Sequence, residues 1–246
     1  MKKTDEISFF RWSTVNILGF ALGGVVASLL FPLIFIAALF AGILTLFLYI
    51  MIAPAVVGAL IGMIIGGFAG YAQDQALKGR SPQSVHWTGQ SIKGGLLGGA
   101  LAGTVGIFQL TGSTSAPLTD NVGGGPGSFF PVNWLFWMSP RTVILLALAG
   151  TITGFFVGRQ QQQAIEKTKH WAFWSALGWG LGWGVTAILA ESLLKATGLE
   201  AITNPAVNAS FENWPAQLAA AALSLGLCGL VYALVTFWPL AAADEM

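Results

Sequence analysis

Charge is what this sequence has least of. Lys, Arg, Asp and Glu make up 9% of its 246 residues, against roughly 25% in soluble domains. A soluble fold of this size could not cover its surface with so few. From Phe9 to Tyr71 the one formal charge is Arg11. Cysteine is almost missing as well. Cys228 stands alone, which excludes an internal disulfide, and its apolar setting reads as packing. Two histidines, His86 and His170, together with one cysteine give poor support for a metal site. No acid falls in the middle of an apolar run, where proton relays and ion-coupled carriers place one. The net charge is +1, so there is no electrostatic case for nucleic acid. The "GGGPG" of Gly123–Gly127 lacks the Lys-Ser/Thr and the preceding strand of a phosphate loop. The Ser of "SFFPV" has no base beside it. These absences together predict a chain that is not an enzyme and carries no cofactor.

Hydrophobic residues, at 55%, fill the space that charge leaves. Apolar runs of about 18 or more residues are candidates to span a bilayer, and the alternating ten-residue segments of a barrel are not visible. The expected fold is all-α, a polytopic helical membrane protein in a single domain over residues 1–246. The N-terminal "MKKTDEISFFRW" resembles the charged part of a signal peptide. The apolar run continues far past a signal's usual length, so it reads as an uncleaved signal anchor.

A motif recurs within the chain. Counting from Trp12, Asn16 stands at +4, Gly19 at +7, Leu22 at +10 and Gly23 at +11. Trp87 is followed by Ser91, Gly94, Leu97 and Gly98 at the same offsets, and Trp171 by Ser175, Gly178, Leu181 and Gly182. In a helix, offsets 0, 4, 7 and 11 fall within a narrow arc. A second glycine-spaced segment follows each of the first two: Gly62, Gly66, Gly70 and Gln73, then Gly150, Gly154, Gly158 and Gln161. The third copy, with Ala222 and Gly226, is degenerate. Pro54, Pro140 and Pro215 lie upstream of the three second helices, where a missing N–H costs little. The pattern predicts about six transmembrane helices as three tandem hairpins: repeat one 10–77, repeat two 86–166 and repeat three 170–238.

Topology follows from the basic residues. With the N-terminus inside, Lys2, Lys3, Arg11, Lys78, Arg80, Lys93, Arg159, Lys167 and Lys169 lie inside, and Arg141 and Lys195 outside. That nine-to-two bias obeys the positive-inside rule with both termini cytoplasmic. The apolar segment 32–53 is long enough to cross. If it did, there would be seven helices, the bias would fall to six against five, and repeat one would run against the others. A re-entrant segment, or a kinked pair of long helices bent at Pro32 and Pro54, fits better.

The glycine seams have two readings: packing inside the bundle, or one seam turned outward to dock another membrane protein or a second copy of the chain. Asn16, Gln73, Ser91, Lys93, Gln161 and Ser175 fall at one depth in the cytoplasmic third. They read as interhelical hydrogen bonds or as a polar vestibule. The long loop 111–140 carries Phe129, Phe130, Trp134, Phe136 and Trp137 and is a candidate partner contact at the interface. His86 and His170 sit at the helix boundary and read as interfacial anchors.

At "HWAFWSALGWGLGW" and "GFFVGRQQQQAI" the chain resembles uncharacterised multi-spanning membrane proteins of cyanobacteria and related bacteria, which carry similar repeated Trp, Asn/Ser and Gly units. The resemblance implies a bacterial inner or thylakoid membrane and no activity. Mitochondrial carriers also have three hairpins, but their P-x-[DE]-x-x-[KR] signature is absent. The expected function is therefore a non-enzymatic membrane subunit, structural or in assembly, with the bilayer as its first partner. The alternative is a passive channel or facilitator for a small neutral solute.

Overall fold

A computed structural model describes residues 8–45, 49–78, 86–112, 140–163, 170–199 and 214–244. They form six α-helices: α1 (Phe9–Thr45), α2 (Tyr49–Leu77), α3 (Trp87–Gly112), α4 (Pro140–Gln162), α5 (Trp171–Ala196) and α6 (Trp214–Asp244). The cause is the solvent. In hydrocarbon the backbone must satisfy its own hydrogen bonds, and a helix does so within one segment. Five of the six are long and apolar enough to cross a membrane, so the protein is a multi-pass helical membrane protein. The exception is α3, whose 26 residues are diluted by glycines and by Gln90 and Lys93. It still packs along its length between α2 and α4.

The helices form a ring in which each packs on its neighbours in sequence and α6 returns to α1. The three tryptophans that open the motif lie at one end of the ring, all buried. The Trp87 and Trp171 rings are 5.9 Å apart. At the same end the guanidinium of Arg11 donates to the Gln75 carbonyl at 2.8 Å, joining the start of α1 to the end of α2.

Segment 32–53 is not a separate span. Residues 32–45 continue α1 through Pro32, and 49–53 begin α2 ahead of Pro54; residues 46–48 lie outside the described set. The 37 residues of α1 and 29 of α2 reach about 55 and 43 Å at 1.5 Å per residue, more than the ~30 Å hydrocarbon layer. Phe31, Ile34 and Ala38 pack against Val57 in a cluster of their own along this extension. Helix α5 is delimited by backbone geometry at both ends. His170 precedes it with φ at 74°, an uncommon conformation that His adopts more readily than most residues. Gly198, φ 72°, follows it. There the Leu199 N–H donates to the Leu194 carbonyl at 2.8 Å, closing a Schellman turn, and Leu199 packs on buried Leu194.

Glycine sets how closely the helices approach. A methyl placed on Gly66 would lie 2.7 Å from the Ser91 carbonyl oxygen, one on Gly154 2.6 Å from that of Ser175, and one on Gly229 2.5 Å from that of Asn16. Real Cβ atoms essentially never come within 3.0 Å. On the other side of α1, methyls on Gly19 and Gly23 would meet the Cα atoms of Ala69 and Ile65 at 2.8 and 2.9 Å. Gly94 and Gly98 meet Val157 and Thr153 in the same way, and Gly178 and Gly182 meet Tyr232 and Cys228. Gly62 and Gly70 abut Gly95 and Ser91 of α3; Gly150 and Gly158 abut Trp179 and Ser175 of α5. Every seam glycine singled out from the sequence thus faces another helix of its own chain.

The register of the third unit differs from the expected one. In α6 the places of Gly66 and Gly70 are taken by Gly229 and Ala233, three residues beyond the register set by Ala222 and Gly226. Gly226 meets Ile17 at an ordinary 3.6 Å. A count from Trp171 crosses a connection of different length, so fixed spacing does not carry over it.

This geometry predicts opposite outcomes for two alanine substitutions. Gly66→Ala should lower the thermal unfolding midpoint in detergent, by the ~1–3 kcal/mol typical of overpacking. Gly89→Ala meets no heavy atom within 4 Å and should leave the midpoint unchanged or raise it. Equal midpoints for the two variants would contradict the assigned contacts.

Candidate functional site

Two features occupy the axis of the ring: a polar cluster at the tryptophan end and an apolar cavity above it. The cluster starts at α5, where the indole N–H of Trp171 donates to Gln161 Oε1 at 2.8 Å. The Gln161 amide donates to Gln73 Oε1 at 3.0 Å and to the Ser91 hydroxyl at 2.8 Å. Gln73 Oε1 also accepts from the Trp87 indole at 2.9 Å. Gln73 Nε2 donates to Asn16 Oδ1 at 2.7 Å, and Asn16 Nδ2 to the Trp12 carbonyl at 2.8 Å. Finally the Trp12 indole donates to the Thr236 hydroxyl at 3.1 Å, which in turn donates to the Tyr232 carbonyl at 2.8 Å. The path touches all six helices.

The amide orientations follow from the partners. An indole N–H can only donate, so the atom of Gln73 facing Trp87 must be its oxygen, as must that of Gln161 facing Trp171. Each tryptophan reaches the helix that closes the preceding hairpin: Trp87 to Gln73, Trp171 to Gln161, and Trp12, around the ring, to Thr236. The same contact occurs three times.

Asn16, Gln73, Ser91, Gln161 and Ser175 are all buried, and the structure brings them together. Lys93 departs from the expectation. It is exposed on the outer side of α3 and takes no part in a vestibule. It stands two residues after Ser91, which turns it roughly 200° away at 100° per residue. His86 and His170 are exposed at the ends of α3 and α5. Phe129, Phe130, Trp134, Phe136 and Trp137 lie outside the described residues. Thr236 and Tyr232 were not legible as cluster members, because α6 has no Gln at the corresponding place. The signal that could have found them is the unmatched indole of Trp12, which needs an acceptor once buried.

Two hydroxyls in the cluster remain unmatched. Ser175 Oγ and the Tyr232 hydroxyl are buried without a hydrogen-bond partner. Tyr232 is directed toward Ser175 and Gln73 but reaches hydrogen-bonding geometry with neither. The aromatic layer above consists of Phe20, whose ring is 4.8 Å from that of Trp179 and 5.6 Å from that of Tyr232.

Beyond this layer lies a cavity of about 170 Å³ lined by all six helices. Its base is near Ile65, Thr153 and Trp179, and its far reach near Pro54 and Gly103. The cause is geometric. Around a ring of six evenly spaced helices, the axis is as far from each helix as neighbours are from one another, about 8–10 Å. Only large side chains fill that space. At the tryptophan end Trp12, Trp87, Trp171, Tyr232 and the two glutamines do so. Higher up, many of the inward-facing residues are Gly and Ala, among them Gly58, Gly99, Ala102, Ala149 and Ala221. Chemically, the amides and indoles of the cluster and the hydroxyls of Ser91 and Thr236 engage one another, and the cavity walls offer contact to hydrocarbon. Among the described residues, no group of three or more His, Cys, Asp or Glu could hold a metal ion.

The chain matches no family model, no curated protein and no solved structure.

The cluster predicts a graded response to substitution. Gln73→Leu strands the Trp87 indole and Asn16 Oδ1 and removes one of the two acceptors of the Gln161 amide. It should destabilise the protein by an amount on the order of 1–3 kcal/mol, read as the unfolding midpoint in a denaturing-detergent titration. Tyr232→Phe removes a hydroxyl without a partner and should leave that midpoint unchanged or raise it. A larger loss for Tyr232→Phe than for Gln73→Leu would contradict this hydrogen-bond assignment.

Proposed function

We propose that this chain is a non-enzymatic integral membrane subunit, a preformed ring with a structural or assembly role in a membrane complex. The observation that carries the reading is the cluster itself. Its most polar buried groups are neutral amides, indoles and hydroxyls that link six helices to one another, an arrangement suited to holding shape. We further read the chain as three tandem copies of one hairpin, which the threefold recurrence of Trp12–Thr236, Trp87–Gln73 and Trp171–Gln161 supports. The nine-to-two basic asymmetry supports cytoplasmic termini in a bacterial inner or thylakoid membrane.

Docking through an outward seam at Gly178 and Gly182 is not retained, because both face α6. A partner, or a second copy, meets the lipid-facing side instead. Leu29, Leu33, Ile36 and Phe40 of α1 are exposed there, one above another at helical spacing.

Excision of the protein from its native membrane in polymer-bounded discs, followed by mass measurement, tests this role. A complex heavier than the 25.8 kDa chain is expected, with the additional subunit identified by peptide sequencing. A lone chain in every disc preparation would sink the subunit reading.

A passive facilitator is the second reading, favoured by the cavity on the axis. It requires the cluster to part, since Trp12, Trp87 and Trp171 fill the ring beneath. Proteoliposomes holding the wild type should swell in glycerol no faster than empty vesicles if the ring is structural. Faster swelling, increased again by Trp87→Ala, would transfer the assignment to the facilitator.

A further inference from the structure

We infer that the axial cavity is a binding site for the hydrocarbon tail of a membrane amphiphile, inserted tail-first toward Trp179. Three observations converge. The walls are almost wholly apolar and come from all six helices. At about 170 Å³ the space is close to the ~150 Å³ of an engineered apolar cavity that stays dry and takes up benzene. Its shape is elongated, since along α2 the lining runs from Pro54 to Ile65, roughly 16 Å at 1.5 Å per residue. A narrow tube of that length suits a chain better than a compact ring.

One polar side chain stands midway along the tube. Ser28 is buried on the wall. Pro32, four residues later within α1, has no N–H, so the Ser28 carbonyl loses its helical donor. The Ser28 hydroxyl stands midway along the tube, where it can pair with a polar group of the guest. At the base, the tail would meet the Phe20–Trp179 aromatic layer, and the hydrogen-bonded cluster beneath prevents it from passing through. The inference does not depend on the subunit reading, because a ring with or without a partner contains the same tube.

The tube is lined by its own reporters. Trp179 and Trp183 both face it, so excited indole can transfer energy to a conjugated acyl chain in contact. cis-Parinaric acid titrated into the detergent-solubilised full chain should give saturable tryptophan-sensitised emission at one molecule per chain. Ala149→Phe, and independently Val57→Phe on another helix, should weaken that binding at least tenfold while keeping the helical signal of the wild type. Trp183→Phe should reduce the sensitised emission without changing the midpoint. Ser28→Ala should weaken binding less than the filling variants do. Native mass spectrometry of the polymer-excised protein identifies the natural source. A retained diacyl lipid, or a retained isoprenoid, supports the site and names its occupant. Non-saturable emission, equal affinity in wild type and filled variants, or a cavity that retains nothing and binds no probe would overturn the inference.

Discussion

Close backbone approach is the constraint on which the rest of this structure depends. Lipid supplies no hydrophobic force between helices, because the tails are as apolar as leucine, so adhesion comes from packing and hydrogen bonds at short range. Gly66, Gly154 and Gly229 let three helices lie on the carbonyl oxygens of Ser91, Ser175 and Asn16. That proximity brings the side chain two turns beyond each glycine, Gln73, Gln161 or Thr236, within reach of a tryptophan. The 2.9 Å bond from Trp87 to Gln73 exists because Gly66 and Gly70 have no side chain to hold α2 and α3 apart. Packing and the polar cluster are thus one device. Glycine supplies the distance, and indole and amide supply the direction.

The motif was legible in the sequence, but its division of labour was not. Offsets 0, 4, 7 and 11 fall on one narrow arc, which reads as a single seam. In the ring that arc straddles two neighbours. Trp12 and the Asn16 carbonyl face α6 and Gly19 and Gly23 face α2; Trp87 and the Ser91 carbonyl face α2 and Gly94 and Gly98 face α4. A helical wheel carries angle alone and cannot show where one neighbour ends and the next begins. The leucine at +10 points away: Leu22, Leu97 and Leu181 are exposed to the lipid side, as a residue 80° off the arc must be.

The third unit shows the other limit. Thr236 takes the place held by Gln73 and Gln161, and Leu225 sits against Gly24 where the first two units have glycine. Threonine is shorter than glutamine, and its hydroxyl accepts from Trp12 while donating to its own helix at Tyr232. It does not extend the chain of amides across the ring. Tyr232 enters the freed volume with its hydroxyl unpaired. The shorter Thr236 is therefore accompanied by the bulk of Tyr232 on the same helix, a pairing that a spacing rule cannot express. The long extensions of α1 and α2 were equally ambiguous, because an apolar run of that length is as consistent with an extra crossing as with two overlong helices.

Side-chain size along the axis determines what a ring of six helices becomes. Glycine contacts draw neighbours together around the circumference, yet they cannot draw six helices onto a common axis. The space at the centre must be filled, plugged or occupied. At one end Trp12, Trp87 and Trp171 fill it, and their indoles need the acceptors that Thr236, Gln73 and Gln161 provide. Toward the other end, Ala102, Ala149 and Ala221 leave it open. An apolar void surrounded by lipid carries no water to satisfy, and the surrounding medium is itself a reservoir of hydrocarbon chains. The same small residues that would be a packing defect in water are, in a bilayer, the lining of a tube whose natural occupant is present at high concentration on every side.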